Sequence, residues 1–272
     1  MAVPARPFLV FSSVGPHSCH LQWLRGRANF DLALVDYAGG CPSSPEYFLW
    51  RHPGTKWPNL AWLARHWPQL EQYRMVAVLD DDLQIEGEAL DTAFQLCQQH
   101  GLWLAQPSLR LGSAFSWTFT LQRPYLRLRY TGFVENGLTI LRLADLPPLL
   151  PLLEEAGSGY GLDWILPHLL QAPPRTIAVL DEVCAFHPGR APALDQVWTR
   201  AEQAEQGLAL CRKYAAPMLA PREDGYLLNA RGQAWVEEGA SPALVYASAH
   251  RFVLHQMAAV IQRFQPAPGI ES

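Results

Sequence analysis

The sequence carries little charge for its length and has no long basic run. Only 17% of its 272 residues are Asp, Glu, Lys or Arg, and the formal net charge is −4. Proteins that bind nucleic acid without regard to its sequence need clustered Lys and Arg. The nearest cluster here is the short group Arg123, Arg127 and Arg129. We therefore expect no nucleic-acid partner.

Cysteines are few, and their spacing shows neither a CxxC pair nor the disulfide framework of a secreted protein. The chain has five, an odd number, and none of them forms a CxxC pair. Reduced thiols are the simplest interpretation, and they indicate a reducing compartment. The N-terminal residues also lack the basic region and apolar core of a signal peptide. We therefore expect a cytoplasmic location.

Long hydrophobic runs are missing as well, because no stretch reaches the roughly 18 apolar residues that cross a bilayer. Peripheral association with a membrane stays open, through aromatic and basic surface residues. Apolar and aromatic residues are otherwise plentiful, at 49% and 11% of the chain, with ten Trp. This composition is typical of a globular protein. The length suits one large α/β domain or a domain with an appendage.

The most unusual stretch is residues 75–83, an apolar run that leads into three aspartates. A run of Val, Ala and Leu is typical of a strand buried on both faces of a parallel sheet. Asp80, Asp81 and Asp82 follow it. Adjacent carboxylates repel one another and are costly to desolvate. They indicate either a site for a hard cation such as Mg2+ or Mn2+, or a solvated turn that caps the next helix.

Polar side chains also stand at the ends of the first two predicted strands. Residues 8–11 and 31–37 are apolar runs with a short helical pattern between them, which is how a parallel sheet begins. Ser12 follows the first strand and Asp36 lies near the end of the second. Ligands of open α/β sheets bind beyond the carboxyl ends of the strands. We therefore expect Ser12, Asp36 and the aspartates to converge there.

Lys56 and Asp163 stand out by their local context. Lys56 precedes a helical pattern over residues 57–73, which Pro68 should divide. A cation at the start of a helix gains nothing from the helix dipole, so Lys56 either faces solvent or meets an anion such as phosphate.

Asp163 follows the glycine-rich residues 157–161 and begins a helix. It is either the N-cap of that helix or a site carboxylate.

A late strand over residues 176–183 leads to His187. A single histidine is either an ordinary core or surface residue or, here, a partner of the aspartates. Further upstream, the alternation of Phe115, Trp117 and Phe119 predicts a strand with one aromatic face, used for packing or for stacking on a sugar.

The sequence changes character after Gly189. Residues 194–214 and 241–264 have helical patterns, and the polar residues 222–234 between them predict a small hairpin or a loop. The predicted organisation is an α/β domain over residues 1–190 and a C-terminal helical appendage over residues 191–272, packed on that domain.

Three motifs taken in order, VLDDDL, GYGLDW and LDEVCAFHP, resemble the GT-A fold of nucleotide-sugar-dependent glycosyltransferases, and within it a family of poorly characterised bacterial and plant transferases. The resemblance covers roughly residues 5–190. It implies a Rossmann-type, mostly parallel sheet flanked by helices, with a C-terminal helical extension. It also implies a metal-dependent transferase with a nucleotide-sugar donor and a glycan or lipid-linked acceptor.

The same resemblance implies roles for individual residues. Asp82 and His187 would ligate a Mn2+ or Mg2+ ion that bridges the diphosphate of the donor, and Asp80 would face its ribose. Asp163 would be the acceptor-side carboxylate and act as the catalytic base of an inverting enzyme.

Three further residues are implied to contact the donor. Ser12 and Asp36 would contact the nucleoside, and Lys56 would neutralise phosphate.

Two other functions stay open on sequence alone. In metal-dependent phosphatases a strand also ends in a DxD motif, whose first Asp, here Asp80, is a phosphorylated nucleophile. That class prefers a small hydroxyl residue where this chain has Gln84. A non-catalytic carbohydrate-binding module would instead use its aromatic faces for sugar and its acids for a structural ion.

Overall fold

The structure, a computed structural model, describes residues 4–189 and 198–264. The strands are β1 (Phe8–Val14), β2 (Phe30–Asp36), β3 (Phe48–Arg51), β4 (Met75–Leu79), β5 (Leu104–Leu109), β6 (Leu126–Thr131), β7 (Leu138–Arg142), β8 (Ile177–Ala185) and β9 (Glu223–Leu228). The α-helices are α1 (His20–Trp23), α2 (Lys56–His66), α3 (Gly87–Gln99), α4 (Leu150–Glu155), α5 (Leu162–Leu170), α6 (Arg200–Lys213), α7 (Ala230–Glu237) and α8 (Pro242–Phe264).

The described strands form one nine-stranded sheet in the order β3-β2-β1-β4-β7-β5-β8-β6-β9. β1 is parallel to β2 and β4, β2 to β3, and β5 to β8. Only β7 and β6 run the other way, each antiparallel to both of its neighbours. With two of nine strands reversed, the other seven point in one direction. The prediction of an α/β protein with a mostly parallel sheet flanked by helices is confirmed.

Both faces of the sheet are covered, which explains the apolar runs in the sequence. Successive side chains of a strand point to opposite faces. Val10 of β1 accordingly lies in the same core cluster as Phe94 of α3, whereas Phe11 lies in the cluster that contains Leu60 of α2. A strand covered on both sides needs an apolar side chain at nearly every position, as β4 has.

The predicted break at Pro68 is confirmed. α2 ends at His66, and Pro68–Gln72 forms a short 3-10 helix. Proline lacks the N–H that a continuing α-helix needs, and its ring clashes with the preceding turn. The chain therefore turns here before it enters β4.

The predicted strand over Phe115, Trp117 and Phe119 is wrong. Thr118–Thr120 forms a 3-10 helix there. Trp117 and Phe119 instead contact Phe133 edge to face, with ring centroids 5.9 Å and 5.4 Å apart. Edge-to-face packing stabilises aromatic rings without requiring a regular strand, so the spacing of the aromatic residues was misleading.

The predicted hairpin or loop over residues 222–234 is also wrong. Its first part is β9, which pairs antiparallel with β6, and α7 follows. Arg129 of β6 is fully buried and donates hydrogen bonds to Asp181 of β8 and Glu223 of β9, at Nε–Oδ2 2.7 Å and Nη1–Oε1 3.2 Å. A buried charge is costly without a partner. This ion network therefore fixes β9 against the sheet.

The C-terminal part of the chain is otherwise helical, as predicted. The helix expected from residue 194 begins outside the described residues, and its described part is α6. α8 packs through Val245, Ala249 and Val253, spaced four residues apart and all buried. The division at residue 190 stays a prediction. No helix within residues 4–189 and 198–264 is both long and apolar enough to cross a membrane.

Candidate functional site

The carboxyl end of β4 is the centre of a polar cluster at one edge of the sheet. The side chain of Asp81 reaches the neighbouring strand end, where its Oδ2 accepts a hydrogen bond of 2.8 Å from the backbone N–H of Gly15. β7 runs antiparallel beside β4, so its N-terminal loop lies at the same edge. The backbone N–H of Asp80 donates to the carbonyl of Gly137 in this loop, at 2.8 Å.

Asp80 forms an ion pair with Lys56, the first residue of α2. The Nζ–Oδ1 distance is 2.7 Å, and Nζ also donates to the carbonyl of Asn136 at 2.8 Å. Two environments were predicted for Lys56, solvent or an anion. The structure shows the second, and the anion is the carboxylate of Asp80. An ammonium group has three donors, so these two bonds leave one for a ligand such as phosphate.

Asp81 differs from its neighbours because it is largely enclosed. Burial raises its pKa to about 6; the N–H of Gly15 opposes this rise, and the charges of Asp80 and Asp82 add to it. The three aspartates are therefore not equivalent. Asp81 ties two strand ends together, whereas Asp80 pairs with Lys56 and Asp82 lies beside His187.

Asp82 lies beside His187, as the sequence predicted. Gln84 and Phe186 exchange two backbone hydrogen bonds of 2.9 Å, and this bridge aligns the chain after β4 with the chain after β8. Nε2 of His187 is 3.4 Å from Oδ1 of Asp82. The hydrogen bond with Asp82 raises the pKa of His187 above its usual value, although burial opposes the rise. Both side chains remain partly exposed, at 28% and 17%.

The Asp82–His187 pair fits a divalent ion only if a substrate completes its ligand shell. In the described residues, no group of three or more His, Cys, Asp or Glu side chains could hold a metal ion by itself. Mg2+ in proteins is commonly bound by one or two carboxylates together with substrate phosphates and water. Two atoms 3.4 Å apart can both reach one ion at about 2.1 Å. The donor set therefore fits an ion that binds together with a diphosphate.

Asp163 lies in the first turn of α5, but the N-cap of that helix is Gly161. Its Oδ1 accepts a hydrogen bond of 2.7 Å from the backbone N–H of Asn136. Burial raises the pKa of Asp163 to about 8; the charge of Glu135 adds to the rise, and the bond from Asn136 and the charge of Lys56 oppose it. Asp163 thus belongs to the same electrostatic cluster as Lys56 and Asp80.

Sequence analysis gave Glu135 and Asn136 no role. They join the site because β7 is antiparallel, and nothing in an apolar run reveals the direction of its strand. The one available signal was an acid and an amide at a strand end. Asn136 also holds the glycine-rich turn, since its Nδ2 donates to the carbonyl of Gly159 at 3.0 Å.

The glycine-rich turn, residues 157–161, packs closely against other parts of the protein. Gly159 has a φ of +75°, and a Cβ at this position would lie 3.1 Å from Cδ1 of Trp57. A side chain would be strained here by both conformation and contact. The turn therefore packs tightly on α2 and positions Asp163.

Ser12 and Asp36 are buried at the same edge. Oγ of Ser12 donates to the carbonyl of Leu79 at 2.8 Å. The carboxylate of Asp36 accepts hydrogen bonds from the backbone N–H groups of Ala38, Gly39 and Cys41. Burial raises the pKa of Asp36, but these bonds outweigh it and the pKa lies below its usual value. In this structure both residues shape the loops of the edge, and their contact with a nucleoside stays a prediction.

Comparison with known proteins gives no family assignment. No protein-family model matches the sequence, and no curated protein matches it. Among solved structures, residues 1–349 of S. aureus TarS in complex with UDP-GlcNAc match with a TM-score of 0.46 and 13% identity, over 76% of this chain and 65% of that one. The same fragment in complex with UDP matches with a TM-score of 0.42 and 15% identity, over 75% and 70%.

The chain thus spans 65% of the length of the first of these fragments, and 42% of a longer TarS chain. At such TM-scores and identities the likeness does not transfer roles between residues.

Proposed function

We propose that this chain is a metal-dependent glycosyltransferase that moves a sugar from a nucleotide-diphosphate donor to a hydroxyl of a glycan or lipid-linked acceptor. One observation carries the proposal. The strand edge brings Asp82 within 3.4 Å of His187 and also gathers a buried acidic pair, Asp163 and Glu135. The first pair suits a metal-bound diphosphate, and the second suits the proton of an acceptor hydroxyl.

On the donor side, Asp82 and His187 would hold a Mn2+ or Mg2+ ion together with the diphosphate. Such an ion stabilises the negative charge that develops on a leaving diphosphate. Lys56 supplies a positive charge to the same region and offers its third N–H donor to phosphate. Asp80, held by Lys56 at 2.7 Å, faces the ribose in this arrangement.

On the acceptor side, the acidic pair removes a proton. A hydroxyl becomes an effective nucleophile when a nearby base takes its proton as the new bond forms. In the proposed reaction the acceptor oxygen bonds to C1 of the donor sugar, and its proton passes to the pair. The bond between C1 and the diphosphate oxygen breaks, and its electron pair leaves with the nucleoside diphosphate. This single displacement inverts the configuration at C1.

The cellular setting is part of the proposal. No disulfide joins the five cysteines, all of which lie within the described residues; this supports a reducing compartment, and we place the reaction in the cytoplasm. Phe252 of α8 is 50% exposed. It is the residue through which α8 would contact a membrane that carries a lipid-linked acceptor.

A thermal-shift screen of UDP-, GDP- and TDP-sugars with and without Mn2+ tests the proposal. A ligand at 100 times its Kd stabilises a protein by about 2.7 kcal/mol. We therefore expect at least one nucleotide sugar to raise the melting temperature clearly, and only when Mn2+ is present. Asp82→Ala should abolish the shift. Asp224→Ala, a change of an exposed aspartate on β9, is the control and should retain it.

The proposal is contradicted if no nucleotide sugar shifts the melting temperature under either condition. A response to glycans alone would favour a carbohydrate-binding module, and a phosphorylated Asp80 would favour a phosphatase.

A further inference from the structure

The loop that follows β5 lies against two residues of the site and carries an exposed aromatic side chain. The backbone N–H of Ala114 donates to the carbonyl of His187 at 2.8 Å. Two positions further on, the backbone N–H of Ser116 donates to Oε1 of Glu135 at 2.9 Å. Phe115 stands between these two fixed positions.

The loop, residues 110–121, is held at its base as well. The backbone N–H of Gln122 donates to the carbonyl of Leu109 at 2.8 Å. A third bond joins the loop to the site, because the backbone N–H of His187 donates to Oγ of Ser113 at 3.2 Å. A side chain on a backbone fixed in this way is ready to bind a ligand, since little conformational entropy remains to be lost.

Phe115 differs from the two aromatic residues that follow it in the loop. Trp117 and Phe119 pack edge to face on Phe133. The ring of Phe115 is 38% exposed, and it contacts no other aromatic ring within the part of the chain that the structure describes. It also belongs to neither core cluster. Its apolar surface therefore remains in water, where a ligand can cover it.

The neighbours of Phe115 favour a sugar over a lipid chain as that ligand. Ser116 and Thr118 are exposed as well, and Phe115 is the only exposed large apolar side chain in residues 110–121. A surface that contacts lipid needs several apolar side chains together. One aromatic ring is enough to stack on a sugar, because its electronegative face attracts the C–H bonds on one side of a pyranose.

We propose, on the basis of the proposed function, that Phe115 is the platform on which the acceptor stacks, and that the acceptor is therefore a saccharide. The ring binds the C–H face of the sugar that carries the attacking hydroxyl. The hydrogen bonds of the loop to His187 and Glu135 keep this sugar beside the donor. Phe115 determines which acceptor binds and takes no part in making or breaking bonds.

Steady-state kinetics with a panel of soluble saccharides tests this role without knowledge of the natural acceptor. The panel contains tetrasaccharides of glucose, galactose, mannose, xylose and N-acetylglucosamine. Release of nucleoside diphosphate is measured in Mn2+ with the donor that gives the largest thermal shift. The wild type is compared with Phe115→Ala, Phe115→Leu, Phe115→Tyr and Leu244→Ala. Leu244 is the matched control, because it is 45% exposed and lies on α8.

We expect at least one saccharide to accelerate release in the wild type. Phe115→Ala should raise the KM for that saccharide about tenfold or more. The kcat should stay within about threefold, because losing a contact made equally in the ground and transition states raises KM alone. Phe115→Tyr should keep the wild-type KM within about twofold and Phe115→Leu should not, because the contact needs an aromatic face. Leu244→Ala should behave as the wild type.

The affinity for the nucleoside diphosphate in Mn2+ separates this role from a structural one, because the loop also holds His187. It should be unchanged in all three Phe115 variants, and so should the melting temperature, since the side chain is exposed. A Phe115→Ala variant with the wild-type KM for the saccharide would overturn the role of Phe115. A variant that loses nucleotide affinity together with saccharide affinity would overturn it too.

The wild type alone decides two further outcomes. A protein that binds its donor but is accelerated by no saccharide would overturn the saccharide acceptor, and acceleration only by vesicles of phosphatidylglycerol with polyprenyl phosphate would favour a lipid in its place. A protein that neither binds a nucleotide sugar nor releases nucleoside diphosphate under any of these conditions would instead overturn the proposed function, and the role of Phe115 with it.

Discussion

Asp163 makes the stability of the protein depend on pH in a predictable direction. Burial raises its pKa from 3.8 to about 8. Between these values the folded chain holds a proton that the unfolded chain has released, so the free energy of unfolding falls as the pH rises. Above pH 8 both states have lost the proton and the effect is complete.

The prediction is that Asp163→Asn becomes progressively more stable than the wild type between pH 5 and pH 8. Asparagine cannot ionise, so the variant lacks this part of the pH dependence. Melting temperatures of both proteins at pH 5, 6.5 and 8 measure the difference. A difference that does not change with pH would contradict the raised pKa.

The sequence predicted where the site residues lie in the fold better than it predicted which residues they contact. The resemblance to GT-A glycosyltransferases implied that Asp82 and His187 lie together, and the structure brings their side chains to 3.4 Å. Glu135 could not be assigned, since its place depends on the reversed direction of β7. The burial of Ser12 also depends on packing that no local pattern records.

Gly87 lies where the start of helix α3 contacts the end of α1 and the residues that follow it. Propensity alone predicts that Ala would stabilise the helix by up to about 1 kcal/mol. A Cβ on Gly87 would, however, lie 2.3 Å from the carbonyl oxygen of Trp23 and 2.7 Å from that of Arg25. Backbone oxygens cannot move aside as a flexible side chain can, so the contact opposes the propensity.

We predict that Gly87→Ala lowers the free energy of unfolding by roughly 2–3 kcal/mol, the upper range for overpacking. Gly40→Ala is the matched control, because nothing lies within 4 Å of a Cβ there; it should change stability by less than about 0.5 kcal/mol. Urea unfolding of the three proteins gives both values. A Gly87→Ala variant as stable as the wild type would show that the α1–α3 contact is looser than described.

Elements were predictable where their pattern was long and their environment uniform. The apolar run of β4 and the helix break at Pro68 were both predicted for this reason. β3 (Phe48–Arg51) is short and only half-buried, and it escaped prediction. β9 depends on a buried ion network with Arg129 that joins residues almost 100 positions apart, which sequence periodicity does not reveal.

In the proposed function, one edge of the sheet binds a metal ion and a diphosphate together. Asp82 and His187 would supply only two ligands of the proposed site, so the metal ion and the diphosphate should each be needed to hold the other. Coupling of this kind is reciprocal, and it typically changes affinity by 5- to 150-fold. It distinguishes the proposed site from a structural cation site, which would bind its ion without nucleotide.

The most direct measurement is a calorimetric titration with the nucleoside diphosphate whose sugar gives the largest thermal shift, in Mn2+ and in EDTA. We predict that Mn2+ tightens binding at least about tenfold in the wild type, or about 1.4 kcal/mol. Asp82→Asn should lose this gain, and Asp224→Asn should keep it. Equal affinity with and without Mn2+, or a full gain in Asp82→Asn, would contradict the account.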